Sequence, residues 1–519
     1  MFAKAQRVHF IGIGGIGMSG IAEILLTLGY SVSGSDLRRT SVTERLASLG
    51  AIVYEGHAAA NAVGAGVVVA SSAVQDANPE VTEARRRKIP VIQRAEMLAE
   101  LMRLKYGIAI AGMHGKTTTT SMIAAVLAAG GLDPTVVVGG RIDSLGSNAR
   151  LGTSHYLVAE ADESDRSFLK LSPILAVVTN LDREHMDCYR DMADVEAAFI
   201  EFMDRVPFYG ACIACCEDEQ LAAILPRVRR RVFTYGTGPR ADYILRLLPQ
   251  AAWASPVDLQ ASAATMERPA LLQEAARPAA PVPGVVRSRF EVVADGLVLG
   301  PFELLVPGRH NVLNAAAAVA IAHQLEVLNE QIIAGLRDFR GVDRRFEVKG
   351  CVRGITVVDD YGHHPTEIRS TLRAARDCHY RAVHVIFQPH RYTRTRDLLP
   401  EFATAFADAN TVQILDIYAA SEEPIAGITA QALVDAATAS RAGVEYAPGF
   451  EAAAARVSAV AQDGDVILTM GAGNVAQIGP MLLEELRQGA EPAPGDRSDR
   501  PGSAQPGSGS RLVDARSDS

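Results

Sequence analysis

Gly112-Met113-His114-Gly115-Lys116-Thr117-Thr118-Thr119-Thr120 is the stretch on which the fold of this chain turns. It sets a glycine-rich turn, a lysine and a hydroxyl directly before a helix. Ahead of it, Tyr106 to Ala111 reads as a buried strand; behind it, Lys116 to Ala129 reads as a helix with Met122, Ile123, Val126 and Leu127 on one side. Strand, tight turn and helix form the setting in which backbone N–H groups and the helix dipole face a phosphate. Lys116 there neutralises phosphate oxygens and Thr117 offers a hydroxyl to Mg²⁺, so the turn reads as an ATP site. The longer form of the pattern carries another glycine where this chain has Ile110, which makes the loop the shortened GxxGKT variant.

Upstream, Arg7 to Ile11 reads as a strand that enters Gly12-Ile13-Gly14-Gly15-Ile16-Gly17, a GxGxxG turn. A helix from Met18 to Leu28 follows, then a strand ending at Ser35-Asp36, an acid placed to meet ribose hydroxyls. Dinucleotides and nucleotide sugars both present a pyrophosphate to such a helix start, so the turn does not choose between them. Downstream of the lysine loop, Tyr156 to Glu160 and Ile174 to Asn180 read as strands with polar ends. Ligand crevices of open α/β sheets lie outside the carboxyl ends of strands, so Glu160 and the stretch Asn180 to His185 are expected to converge on the phosphates held by Lys116. Glu160 is a candidate Mg²⁺ ligand; the plain alternative is a surface acid in the run Glu160-Ala161-Asp162-Glu163.

Between 239 and 284 the chain becomes rich in Ala and Pro and reads as a mobile loop or insertion. Arg289 to Val293 and Leu297 to Val306 then read as strands around an Asp295-Gly296 hairpin turn, and Gly308-Arg309-His310-Asn311 opens an alanine-rich helix through Ala322. Strands at Ile355 to Asp359, Ala382 to Phe387, Thr411 to Ile417 and Asp465 to Met470 alternate with helices, the rhythm of a second doubly wound parallel sheet. The strand ends carry Asp359-Asp360-Tyr361-Gly362-His363-His364-Pro365 and Gln388-Pro389-His390-Arg391-Tyr392-Thr393-Arg394.

A chain of 519 residues exceeds what one core serves, so about three domains are expected. The divisions fall at 1–104, 105–341 and 342–490, with 491–519 read as a disordered tail for want of apolar residues. No apolar run reaches the roughly 18 residues that span a bilayer, and no leader is seen, so no membrane insertion and a cytoplasmic location are expected. A net charge of −9 argues against nucleic acid as a partner. The runs Arg85-Arg86-Arg87-Lys88 and Arg229-Arg230-Arg231 read as solvated faces. The six cysteines include Cys212-Ile213-Ala214-Cys215, read as a buried strand because no second pair follows to complete a metal site.

GIGGIGMSG (Gly12 to Gly20), GMHGKTTTT, EADESD (Glu160 to Asp165), TNLDREHMD (Thr179 to Asp187), PGRHNVLNA (Pro307 to Ala315), RRF (Arg344 to Phe346), DDYGHHPTE (Asp359 to Glu367) and QPHRYTRT (Gln388 to Thr395) stand in one order. In that order the chain resembles the Mur ligase family over roughly residues 1–240 and 285–480. The resemblance implies an α/β protein of three domains: N-terminal Rossmann-like, central P-loop ATPase-like α/β, and C-terminal Rossmann-like parallel sheet. It implies ATP-dependent ligation of L-alanine to the carboxylate of UDP-N-acetylmuramate through an acyl phosphate, with Mg²⁺, by a monomer or homodimer. Attachment of a whole tripeptide to the same sugar, as in murein recycling, is the alternative within the family. Outside it, a nicotinamide-dependent oxidoreductase and a non-catalytic nucleotide switch are the rival classes.

By position, the resemblance implies that Gly14, Gly15 and Gly17 cradle the UDP pyrophosphate, with Asp36, Ser71 and Ser72 nearby. Gly112, Met113, His114, Gly115, Lys116, Thr117 and Thr118 would hold ATP phosphates, while Asn311, Asn314, Arg345 and Asp360 serve the nucleotide. Thr117, Glu160 and His185 would hold metal, and Tyr361, His363, Arg391 and Arg394 would shape the amino-acid pocket. Lys116, Glu160, His185 and His363 are the implied catalytic residues, His363 as a base for the amine. Met113 replaces the family's usual threonine, Asn474 stands where many relatives carry an acid, and the Ala/Pro stretch is longer than the family needs.

Overall fold

The computed structural model describes residues 7–71, 74–142, 147–249, 287–441 and 443–488. Its first sheet holds β1 (Arg7–Ile11), β2 (Val32–Asp36), β3 (Ile52–Glu55), β4 (Ala65–Ala70) and β5 (Val91–Gln93), all parallel, in the order β3-β2-β1-β4-β5. Strand order reverses between β1 and β4, which opens a crevice over the glycine-rich turn that follows β1. The helix after that turn spans Ile16–Thr27, two residues earlier than the sequence suggests, because Gly15 already takes the extended N-cap conformation.

The middle sheet has ten strands: β6 (Tyr106–Ala111), β7 (Thr135–Ile142), β8 (Ser147–Arg150), β9 (Tyr156–Glu160), β10 (Leu175–Val178), β11 (Ala211–Cys215), β12 (Val232–Gly236), β13 (Tyr243–Leu247), β14 (Ser288–Ala294) and β15 (Leu297–Leu304). Their order, β15-β14-β13-β12-β11-β10-β6-β9-β7-β8, puts β6 between β10 and β9. β6 and β10 are apolar and buried for nearly their whole length, as parallel strands covered on both faces must be. The covering helix Lys116–Ala129 packs against the helices Arg309–Gln324 and Asn329–Asp338, and the buried run Ala315 to Ala318 lets the backbones approach.

Several expectations for this domain change: the strands expected to reach Asn180 and Val306 stop at Val178 and Leu304, and β7, β8 and β12 are additions. The Ala/Pro-rich stretch contains a strand, β13, which pairs with β12 and β14; Tyr243 and Leu245 point inward, a short alternation that the surrounding composition hides. Residues 250–286, the rest of that stretch, and the tail 491–519 lie outside the described residues. Cys212 and Cys215 are in the buried strand β11, as expected. Burial pushes their thiols up to about 12 and about 11, so neither forms a thiolate at neutral pH.

The third sheet, in the order β16-β17-β21-β18-β19-β20, holds β16 (Glu347–Val352), β17 (Ile355–Asp360), β18 (Val383–Phe387), β19 (Thr411–Ile414), β20 (Val444–Tyr446) and β21 (Val466–Met470). Only β16 is antiparallel to its neighbour. β19 stops three residues short of the expected Ile417. The edge strands β16 and β20 are additions to the expected set: they are short or half exposed, with little apolar periodicity.

Candidate active site at the meeting of three domains

At the end of β6 the chain turns through Gly112 (φ 131°) and Gly115 (φ 82°). Both positions demand glycine, since a Cβ would come within 2.1 Å of Thr179 Oγ1 at the first and 2.9 Å of Asn314 Oδ1 at the second. The end of β10 braces the loop. Asn180 Oδ1 accepts the His114 N–H at 2.9 Å, and the Thr179 hydroxyl donates to the His114 carbonyl at 2.6 Å. The Met113 side chain is buried beneath the loop and its N–H points to the Asn180 carbonyl at 3.4 Å, so in this structure that amide is turned to the protein and not to a phosphate.

Lys116 Nζ donates to the Gly112 carbonyl at 2.8 Å, the Met113 carbonyl at 3.2 Å and Glu163 Oε1 at 2.6 Å. Burial by itself would lower this ammonium, but Glu163 and Glu160 outweigh it and hold its pKa above the ordinary value. Thr117 donates to Glu160 Oε1 at 2.7 Å, and His185, with a left-handed backbone (φ 58°), places Nε2 3.6 Å from Glu163 Oε1. Lys116, Thr117, Glu160 and His185 are therefore gathered at the ends of β6, β9 and β10. Glu163 joins them, almost fully buried, although the sequence shows it only as one member of an acidic run.

Beside the loop lies a cavity of about 420 Å³ lined by His114, Gly115, Thr118, Asn311 and Asn314 of the middle domain and by Arg345, Asp360 and Glu367 of the third. Asn311 and Asn314 share one face of the helix Arg309–Gln324 at i,i+3 spacing, with Asn311 anchored to the Pro307 carbonyl at 2.7 Å. Asp360 accepts the N–H groups of Phe346 and Gly362, both at 2.8 Å, so its carboxylate fixes two turns of the cavity wall. Burial raises its pKa, against the pull of Arg345. Burial and Arg345 together push His310, which lines the cavity from the middle domain, down to about 4, leaving a neutral imidazole.

The third domain is joined to the loop by charge. His114 Nε2 lies 2.8 Å from Asp182 Oδ2 and its Nδ1 3.5 Å from Glu367 Oε1. Burial opposes protonation of His114, but the carboxylates of Asp182 and Glu367 raise it to about 10. Asp182 also accepts from the Thr366 hydroxyl at 2.7 Å, and Glu184 accepts from Arg394 at 3.0 Å and faces His363 Nε2 at 3.6 Å. Of the residues expected around the amino acid, Tyr361, His363 and Arg394 come together, with His390 added: its Nδ1 is 3.0 Å from Arg394, and burial with the cations around it pushes it down to about 3. Arg391 departs from the group. It is half exposed at the start of the helix Tyr392–Asp397, with its guanidinium 3.9 Å from Asp187. Arg394 likewise has its guanidinium held by Glu184. Asn474 accepts from Gln388 Nε2 at 2.9 Å, a structural partnership at the position where relatives differ.

In the first domain Gly14 N–H donates to Asp36 Oδ2 at 2.8 Å, and Ser71 abuts Gly12; Ser72 lies outside the described residues. A Cβ on Gly17 would meet Arg94 Nη1 at 2.8 Å, and Arg94 reaches Asp162 of the middle domain at 3.2 Å. Beneath Asp36, the buried Glu80 accepts from Ser35 at 2.6 Å and Asn61 at 2.7 Å. Burial opposes its charge, but these bonds and His9 keep its carboxyl below the ordinary value. Arg94, Glu163, Glu184 and Glu367 thus join the candidate site although the sequence did not single them out. Each acts across a domain seam or through burial; the one sequence signal was their position just past a strand end or at a helix start.

Residues 7–106 match the description "Mur ligase family, catalytic domain", residues 110–322 "Mur ligase middle domain" and residues 344–473 "Mur ligase, glutamate ligase domain". The chain is 69% identical over 487 residues to a UDP-N-acetylmuramate–L-alanine ligase of Acidobacterium capsulatum, covering 94% of this chain and 99% of the relative. It is 61% identical to the protein of the same name from Koribacter versatilis, covering 94% and 98%. Among solved structures, UDP-N-acetylmuramate-alanine ligase of Thermotoga maritima superposes with a TM-score of 0.69 at 28% identity, covering 93% of this chain and 99% of that one. A murein peptide ligase of Psychrobacter arcticus, at 22% identity and a TM-score of 0.62, shares the fold.

Proposed function

The chain belongs to the Mur ligase family, and from that premise we infer that it joins L-alanine to the carboxylate of UDP-N-acetylmuramate at the expense of ATP, in peptidoglycan precursor synthesis. The observation that carries the reading is the lysine loop opening onto a cavity whose far wall belongs to the third domain. An ATP seated there has its phosphates at the start of the helix Lys116–Ala129 and its nucleoside against Asn311, Asn314, Arg345 and Asp360. The UDP pyrophosphate lies on the helix start after Gly12 to Gly17.

The sugar carboxylate attacks the γ-phosphorus, the bond to the β-phosphate oxygen breaks, and ADP leaves an acyl phosphate. The alanine amine then attacks the acyl carbon and inorganic phosphate departs. Nucleophile and phosphate are both anionic in the first step, so the demand on the protein is charge neutralisation in a fixed geometry, which Lys116 and the helix N-terminus supply. A magnesium ion fits the hard oxygen donors Thr117 and Glu160, and the family resemblance adds His185; when bound it would supply further neutralisation of the phosphates. In the second step His363 is the base for the ammonium of alanine. Its Nδ1 lies 3.1 Å from the Tyr361 carbonyl and its Nε2 3.6 Å from Glu184, which orient the ring toward the amino-acid pocket. We place the protein in the cytoplasm, where ATP is made available; no described helix is long and apolar enough to cross a membrane.

The test is phosphate release with UDP-N-acetylmuramate, ATP and Mg²⁺, offering alanine, serine, glycine and the recycled tripeptide in turn. Release that needs alanine is expected. Turnover with the tripeptide and none with alanine would overturn the reading.

A further inference from the structure

Glu163 is enclosed more completely than any other carboxylate touching the lysine loop. Its side chain is 1% exposed, and its backbone carbonyl is pinned by the Tyr189 hydroxyl at 2.7 Å. Oε1 pairs with Lys116 and faces His185, while Oε2 is buried without a hydrogen-bond partner among the described residues. Neither step of the ligation uses this group.

The lysine's donor count makes it matter. An ammonium has three N–H bonds, and those of Lys116 go to the Gly112 carbonyl, the Met113 carbonyl and Glu163. To reach a phosphate oxygen Lys116 must release at least one of them. The two carbonyls belong to the loop that wraps the phosphates, whereas Glu163 is an anion competing with them for the same cation. Once released, the Glu163 carboxylate is enclosed and unpaired, a state that proteins avoid by supplying another cation. Thr117 and Glu160, 2.7 Å apart at the same loop, are hard oxygen donors for a divalent cation, and His185 is 3.6 Å from the Glu163 carboxylate.

We propose that Glu163 is an exchange residue: it is the counter-ion of Lys116 in the nucleotide-free protein and becomes a further oxygen ligand of the divalent cation when Lys116 turns to the phosphates. The idea rests on the lysine loop being the ATP site, and it makes nucleotide and metal binding cooperative, since each relieves a charge that the other leaves exposed. The unpartnered Oε2 is then the lone pair kept for the metal.

The test uses the full-length protein with ADP and Mn²⁺ as probes, without either of the other substrates. Calorimetry gives ADP affinity in EDTA, and electron paramagnetic resonance gives Mn²⁺ affinity at saturating ADP. Glu163→Gln keeps the shape and removes the charge. Without metal, ADP is expected to bind the variant several-fold more tightly than the natural protein, because no ion pair has to be broken first. With ADP present, Mn²⁺ is expected to bind at least about tenfold more weakly, the size of loss seen when groups that tune a metal site are removed. Glu163→Asp, which keeps the charge at shorter reach, is expected to fall between the two in both assays and serves if the glutamine variant melts early. Unchanged Mn²⁺ affinity, or shifts of the same sign in both assays, overturns the exchange. Failure of the natural protein to bind ADP at all would instead overturn the ATP reading of the loop, and this proposal with it.

Discussion

Gly12 to Gly17 and Gly112 to Lys116 both follow a parallel strand, both open a helix, and in both a carboxylate sits where an anionic ligand is expected to act. Asp36 takes the Gly14 N–H in the first turn, and Glu163 takes the Lys116 ammonium in the second. The difference lies in where the supporting groups come from. Asp36 closes the adjacent strand β2 in the same sheet, a partially exposed acid supplied by the local βαβ unit. The lysine loop is braced by β9 and β10 and is faced by Asp360, Arg345 and Glu367 from a domain that begins more than two hundred residues later. One turn takes its support from its own sheet, while the other is enclosed by residues of two domains.

Breaking the second turn gives the largest effect. Lys116→Ala is expected to cut phosphate release by about 10³-fold, in line with the loss of a preorganised charge in a transition state. It also leaves Glu163 enclosed and unpaired, a fault that costs about 3–5 kcal/mol in buried ion pairs, so the variant should melt earlier. Near-normal release by a folded Lys116→Ala protein would remove the second turn from the chemistry altogether.

Geometry ranks next. Gly115→Ala forces a Cβ against Asn314 at a left-handed backbone and should lower kcat/KM for ATP about 10²-fold, the scale of a 1 Å misplacement at a reacting centre. Gly14→Ala meets Asp36 and Thr43 at 2.9 Å but carries no left-handed strain; it should raise KM for the UDP-sugar about tenfold and leave KM for ATP alone. Equal damage to both KM values in steady-state kinetics would show that the two turns do not bind separate ligands.

The smallest effect tests how the third domain is attached. His114 keeps its proton to about 10 in the folded protein against an ordinary 6.5, so the stability it adds is complete below about 6.5 and is lost as pH climbs toward 10. Asp182, Glu184 and Glu367 are all lowered and stay ionised through that window. Melting temperature is therefore expected to fall between pH 7 and 10, and His114→Gln should flatten part of that fall. Parallel curves for the two proteins in scanning calorimetry would mean that the seam does not depend on this proton.

Much of the site is legible in the amino-acid sequence. The strand before Gly112, the helix from Lys116 to Ala129 and the polar ends of β9, β10 and β17 follow from apolar runs and turn residues, and together they place Lys116, Thr117, Glu160 and Asp360 at sheet edges. β13 is hidden because its five residues of alternation are lost in an Ala/Pro-rich context, and β16 and β20 because edge strands bury too little to leave a pattern. Glu163 is hidden for a different reason. An acid in an acidic run looks solvated, and only packing by Tyr189 and Lys116 makes it a buried charge.

By itself the sequence determined the two turns, the helices that follow them, and three α/β units with polar residues gathered at one edge of each sheet. These depend on backbone conformation and apolar periodicity over ten to twenty residues, which the chain encodes locally. Tertiary structure alone decided that Lys116 rests on Glu163, that His114 holds a proton between Asp182 and Glu367, and that Arg394 answers to Glu184 while Arg391 does not. Charge interactions of this kind take their strength from distance and burial, and neither exists until segments from 47 to more than two hundred residues apart have been folded against each other.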